Sequence, residues 1–85
     1  MRILHLVREL QDRRALETAS AQLKQGHQVT LLLLHDAVLD HIDFPDKILA
    51  CADDVQARGG NSSYATLDYT QVVTAIFDHD RVISW

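Results

Sequence analysis

The chain carries one thiol, five imidazoles and a cluster of guanidinium groups with which it could do chemistry. The thiol, Cys51, stands in "KILACADDVQARG" (Lys47 to Gly59), where a short apolar run gives way to charged and small residues. A thiol at the end of a strand that opens a helix lies in the field of unpaired backbone N–H groups, which favours the nucleophilic thiolate. The competing reading is structural, since an unpaired cysteine often serves as a small buried hydrophobe. Asp53 and Asp54 suit the first turn of a helix, yet their charges oppose a thiolate beside them. Both readings of Cys51 stand at the level of sequence.

His35 followed by Asp36 could form a general base with its orienting carboxylate, or be a polar pair at the rim of a sheet. Arg8, Arg13 and Arg14 could hold an anion near a helix start, or be solvated surface. The histidines His5, His27, His35, His41 and His79 include no pair four apart, and one cysteine among scattered histidines makes no zinc signature. No metal is expected. The segment "RELQDRRA" after the first apolar run has no glycine, so neither a dinucleotide fingerprint nor a phosphate-cradling loop can form there. No cofactor is expected either. Tyr69 and Trp85 read as aromatic packing near strand ends, or as part of a subunit contact.

These residues need elements to position them. "RILHLV" (Arg2 to Val7) is short, apolar and bounded by charge, as a strand is. Leu16, Ala19 and Leu23 share one face of a helix over Arg14 to Gln25, which should stop at Gly26. "QVTLLLL" (Gln28 to Leu34) is nearly all apolar, the mark of a central parallel strand covered on both faces. "DAVLDHI" (Asp36 to Ile42) predicts a short helix, and Pro45 forces Phe44 out of the helical region before the strand Lys47 to Cys51. A brief helix, Ala52 to Arg58, should be capped by Gly59, and the loop "RGGNSS" leads to a strand "YATLDY" (Tyr64 to Tyr69). Thr70 is a candidate N-cap for a helix Gln71 to Asp78, with Val72, Val73, Ile76 and Phe77 as the stripe facing the sheet. Val82 to Trp85 completes five strands alternating with four helical segments. That alternation predicts a three-layer α/β/α fold of Rossmann or flavodoxin-like type, with a mostly parallel five-stranded sheet and right-handed crossovers. Ligands should gather at the carboxyl ends of the strands, which carry Arg8, Glu9, His35, Asp36, Cys51, Tyr69 and Thr70.

Eighty-five residues make a single domain, residues 1–85, with a core small enough that a partner would help it. A formal charge of −4 repels a nucleic-acid backbone, so direct nucleic-acid binding is not expected. The amino terminus "MRILHLVREL" is interrupted by His5, Arg8 and Glu9 and lacks the apolar stretch of a signal peptide. Val29 to Leu34 is too short to cross a bilayer, and one cysteine cannot form an internal disulfide. These features predict a cytoplasmic protein that does not enter a membrane.

Read in order, "ILHLV", "LLLLHDAVL", "ADDVQARGG" and "LDYTQVV" followed by a terminal "ISW" resemble the TusB/DsrH branch of the DsrE/DsrF/DsrH (DsrEFH-like) sulfur-relay family over essentially the whole chain. The resemblance implies a small cytoplasmic α/β sulfurtransferase-type subunit that works without a cofactor, by self-association or with related DsrE/DsrF (TusC/TusD)-like subunits. Such complexes take persulfide sulfur from an upstream donor protein. They pass it toward 2-thiouridine at the tRNA wobble position or through dissimilatory sulfur metabolism. DsrH-type proteins can carry a cysteine in the first helix, where counting from "LE" in "ALETAS" places Ala19 here. The DsrE/TusD branch has its sulfur-accepting cysteine just before a helix ending in "RG", and aligning on Arg58 and Gly59 puts Cys51 at that position. TusB-like members commonly lack a cysteine there. The chain departs from the DsrE-type motif at Asp53 and Asp54, where that motif has small apolar residues, and at Ala37, which replaces a frequent glycine. The resemblance thus implies Cys51 as persulfide carrier, with His35 or Arg8 as groups that could stabilise its thiolate. The alternatives are a scaffold subunit that holds catalytic relatives through an apolar edge and the aromatic carboxyl terminus, and a stand-alone small-anion-binding α/β module.

Overall fold

A computed structural model describes residues 1–85. Five strands, β1 (Arg2–Val7), β2 (Gln28–Leu33), β3 (Lys47–Cys51), β4 (Ala65–Leu67) and β5 (Arg81–Ser84), form one sheet in the order β4-β3-β2-β1-β5. Every pairing is parallel. The helices are α1 (Arg13–Lys24), α2 (Ala52–Ala57) and α3 (Tyr69–Asp78), with a 3-10 turn over His35–Leu39 between β2 and β3. This is the expected three-layer α/β architecture. None of the helices is long and apolar enough to cross a membrane.

Strand order decides which face each helix covers. The first three connections each step one strand in the same direction, and right-handed crossovers then place α1, the 3-10 turn and α2 together on one face. They share one apolar core there: Val7, Ala15, Leu33, Ala37, Val38, Ala50 and Val55. The connection from β4 to β5 runs back across the whole sheet, so its helix, α3, lands alone on the opposite face. Leu49 and Leu67, whose side chains alternate with those of Ile48 and Ala50, line a groove there with Gln71, Thr74 and Ala75 of α3. Leu32, in the middle of β2 on that face, is 0% exposed, as the unbroken apolar run of β2 requires.

Local signals set the element ends. Asp12 caps α1 by accepting from Ala15 N–H. Gly26 closes that helix at φ +91°, with His27 N–H bonded to Gln22 C=O and Gly26 N–H to Leu23 C=O. Two further aspartates extend the ladder where no strand is available: Asp46 accepts from Val29 N–H and Asp80 from Arg2 N–H.

Four expectations are corrected. The segment expected as a helix over Asp36 to Ile42 is a 3-10 turn that ends at Leu39, where Asp40 turns to an extended conformation. The strand read as Tyr64 to Tyr69 pairs only over Ala65–Leu67. The N-cap of α3 is Asp68, not Thr70: its carboxylate accepts from Gln71 N–H while the Gln71 amide oxygen accepts from Asp68 N–H, a reciprocal box that starts the helix earlier. Phe77 does not face the sheet; it is 82% exposed, and no residue of α3 is fully buried.

Two substitutions check this account by urea denaturation. Leu32→Ala should cost about 2–5 kcal/mol, because it opens a cavity between two covered faces. Asp68→Ala should cost about 1 kcal/mol through loss of the cap alone, and an effect as large as that of Leu32→Ala would refute the assignment.

Candidate functional site

The carboxyl ends of the strands carry two separate groups of side chains. The first surrounds Cys51, which is both the last residue of β3 and the N-cap of α2. Its side chain follows Leu49 by two positions and stands in register with Leu67 of β4, so it belongs to the α3 face. Its neighbour Ala50 points to the opposite face and is fully buried. Cys51 as a residue is half-buried; its thiol is reduced and makes no side-chain capping bond to α2. Because α2 has only six residues, the backbone field at its start is that of a short helix.

The acidic pair after Cys51 is not symmetric. Asp54 accepts from His35 N–H at 2.9 Å and lies 3.8 Å from Arg58 Nη1. Asp53 is exposed and has no ion-pair partner. Arg58 also donates from Nε to Asp36 at 3.0 Å, bridging the 3-10 turn to α2. One cation thus offsets Asp36 and Asp54, leaving Asp53 without an ion-pair partner.

His35 and Asp36 do not form a dyad. The Asp36 carboxylate is engaged by Arg58, while the His35 ring is exposed and bonds to no other side chain. His35 adopts a left-handed backbone, φ +50°, a conformation uncommon for a side-chain-bearing residue, and the Asp54 bond to its N–H holds it there. The sequence pairs His35 with Asp36, whereas the fold pairs Asp36 with Arg58 and the His35 N–H with Asp54.

The second group sits where β1 and β5 meet, the point at which the strand order reverses and where open α/β sheets have their crevice. Trp85 fills it. Its N–H bonds to Leu6 C=O, continuing the ladder, and its indole Nε1–H donates to His5 Nδ1 at 2.9 Å. The two rings stack at 6.0 Å with 17° between their planes. His5 Nε2 pairs with Gln22 Oε1 of α1 at 2.6 Å. Arg8 Nε donates to Trp85 C=O at 2.8 Å, and the Arg14 guanidinium lies 6.0 Å from the indole.

The expected arginine trio is therefore divided. Arg8 and Arg14 are engaged with Trp85, and Arg13 instead lines a groove of about 400 Å³ between the start of α1 and the segment Asp40 to Asp43. That groove has an apolar floor that includes Val7, Leu16, Leu31 and Ile42, and its rim carries Asp12, Asp40 and Asp43 against Arg13 and His41. Such a rim does not favour an anion. Arg8 lies with Trp85 and not in the Cys51 group; Tyr69 is the first residue of α3 and 74% exposed. No group of three or more metal-ligating side chains forms.

Two residues of these groups escaped sequence reasoning. Arg58 was read only as a helix end, and no local signal announces its contact with Asp36, 22 positions away. His5 could have been found: it has the parity of Ile3 and Val7 within β1, so it must face the core and needs buried partners. The sequence matches no protein-family model and no curated protein.

The charge balance around the thiol can be read from its alkylation rate. At a fixed mildly alkaline pH, Arg58→Gln should slow reaction of Cys51 with iodoacetamide, because it leaves Asp54 and Asp36 uncompensated, and Asp53→Asn should speed it. Equal rates in all three proteins would show that these charges do not reach the sulfur. Arg58 is partly exposed, so stability should fall by no more than about 1 kcal/mol.

Proposed function

We propose that the chain is a TusB/DsrH-like component of an intracellular sulfur-relay complex, with Cys51 as a persulfide carrier. The observation that carries the reading is the placement of the single thiol: a half-buried residue with no capping bond, at the carboxyl end of a parallel strand and on the α3 face of the sheet. The order of motifs along the chain supports the family, and the three-layer parallel architecture agrees with what the resemblance implies. The reaction needs neither metal nor organic cofactor. The Cys51 thiolate attacks the outer sulfur of a donor persulfide, the donor S–S bond breaks, and the donor leaves as a thiolate that takes up a proton. Cys51 then holds the persulfide until an acceptor thiolate repeats the exchange. His35 follows the adjacent strand β2, and its exposed ring bonds to no other side chain.

Partners would be DsrE/DsrF (TusC/TusD)-like subunits or a second copy, together with an upstream donor, in the cytoplasm. The destination would be tRNA wobble-uridine thiolation or dissimilatory sulfur metabolism. One observation favours a second reading, a scaffold that holds catalytic relatives: Phe77 and Tyr69 of α3 are large, apolar or amphipathic, and almost bare.

Intact-mass measurement after incubation with a cysteine desulfurase and cysteine separates the two. A carrier gains a sulfur atom that Cys51→Ser cannot accept. If the wild-type protein stays unmodified while a control acceptor is loaded, the carrier reading fails. The scaffold reading then predicts that Phe77→Ser weakens assembly while Cys51→Ser leaves the relay intact.

A further inference from the structure

The hydrogen-bond chain from Trp85 through His5 to Gln22 closes for only one protonation state of the imidazole. An indole N–H can only donate, so the Nδ1 that receives it must hold a lone pair. Nε2 then carries the ring proton and donates it to Gln22 Oε1. A second proton would go to Nδ1, where it would point at the indole N–H. Protonation therefore removes the bond that seats the indole.

No acidic side chain pairs with the His5 ring. His5 is 0% exposed. Its cross-strand neighbours are Leu31 on β2 and Ile83 on β5, both apolar. The helix packed over it brings Gln22 and, two turns earlier, Arg14 against the indole; Glu17 of that helix is exposed and in no ion pair. At the strand ends, Arg8 binds Trp85 C=O, Arg2 binds Asp78 C=O, and Arg81 is exposed. Both ion pairs of the chain belong to Arg58. The cations set against Trp85 are Arg14, at the indole, and Arg8, at the main-chain oxygen that carries the terminal negative charge.

We propose that the His5–Trp85 contact is an acid-released latch: protonation of His5 frees the indole and uncovers the crevice between β1 and β5 while the sheet stays intact. Only the side chain needs to move, because the Trp85 backbone keeps its bonds to Leu6 and Arg8. Release exposes an aromatic ring flanked by two guanidinium groups. Burial lowers the His5 pKa from 6.5, opposed in part by the Gln22 bond. The folded chain then binds fewer protons than the unfolded one, so this contribution to stability is complete above pH 6.5 and is lost as pH falls through the folded pKa.

Trp85 is the only tryptophan, so its fluorescence reports the latch directly. In a titration of the full chain from about pH 8 to about pH 5, emission should shift red and acrylamide quenching should rise. The midpoint should coincide with that of the His5 imidazole by NMR, at constant far-UV circular dichroism. Gln22→Glu sets a carboxylate against Nε2–H and should move that midpoint to higher pH. His5→Asn keeps an amide oxygen near the place of Nδ1 without a titrating ring, and should leave emission flat. The proposal is overturned if emission and circular dichroism change together, if emission stays constant while His5 titrates, or if His5→Asn titrates as the wild type does.

Discussion

The direction of four crossover connections governs most of this molecule. A parallel strand such as β2, apolar along its length, must be covered on both faces, since water on either side would meet leucine. Three successive steps in one direction send α1, the 3-10 turn and α2 to the same face, so a single ten-residue helix remains for the other. The two faces are consequently unequal. Val7, Leu33 and Ala50 are buried on the first, whereas on the second Leu4 and Leu32 are buried but Leu6, Leu49 and Val82 are only half-covered. The helix on the second face buries none of its own residues completely.

That inequality sets the state of the thiol. Had Cys51 exchanged places with Ala50, its sulfur would lie in the closed core and serve only as packing. One residue further along the strand, it stands on the α3 face at the sheet rim and is half-buried. The aspartates behind it, which argue against a thiolate when read as bare charges, acquire partners in the fold. Asp54 serves the strained loop at His35 and Arg58 together, leaving Asp53 as the one uncompensated charge of the pair.

The β1/β5 junction obeys a different rule. A buried histidine meets a half-buried indole there, and each ring nitrogen has one partner that matches its donor or acceptor character. The bonds join β1, α1 and the last residue of the chain, which lie 17 and 80 positions apart. Two arginines expected to hold an anion hold Trp85 instead, through one hydrogen bond and one cation–π contact. The crevice of the sheet is thus filled by the chain itself.

Periodicity and punctuation determined the elements. The apolar runs at Arg2 to Val7 and Gln28 to Leu33, the stripe Leu16, Ala19, Leu23, and the stops at Gly26 and Gly59 were legible because each reflects a preference of neighbouring residues. The position of Cys51 at a strand end was legible for the same reason. The cap at Asp68 was written in the sequence as well, in the spacing of Asp68 and Gln71, but it competed with Thr70 two residues on. Only the tertiary structure decided the strand order, the exposure of Phe77, the partner of Asp36 and the enclosure of His5. Each of these depends on which face a crossover lands on or on a contact across tens of residues, and a local pattern holds no record of either.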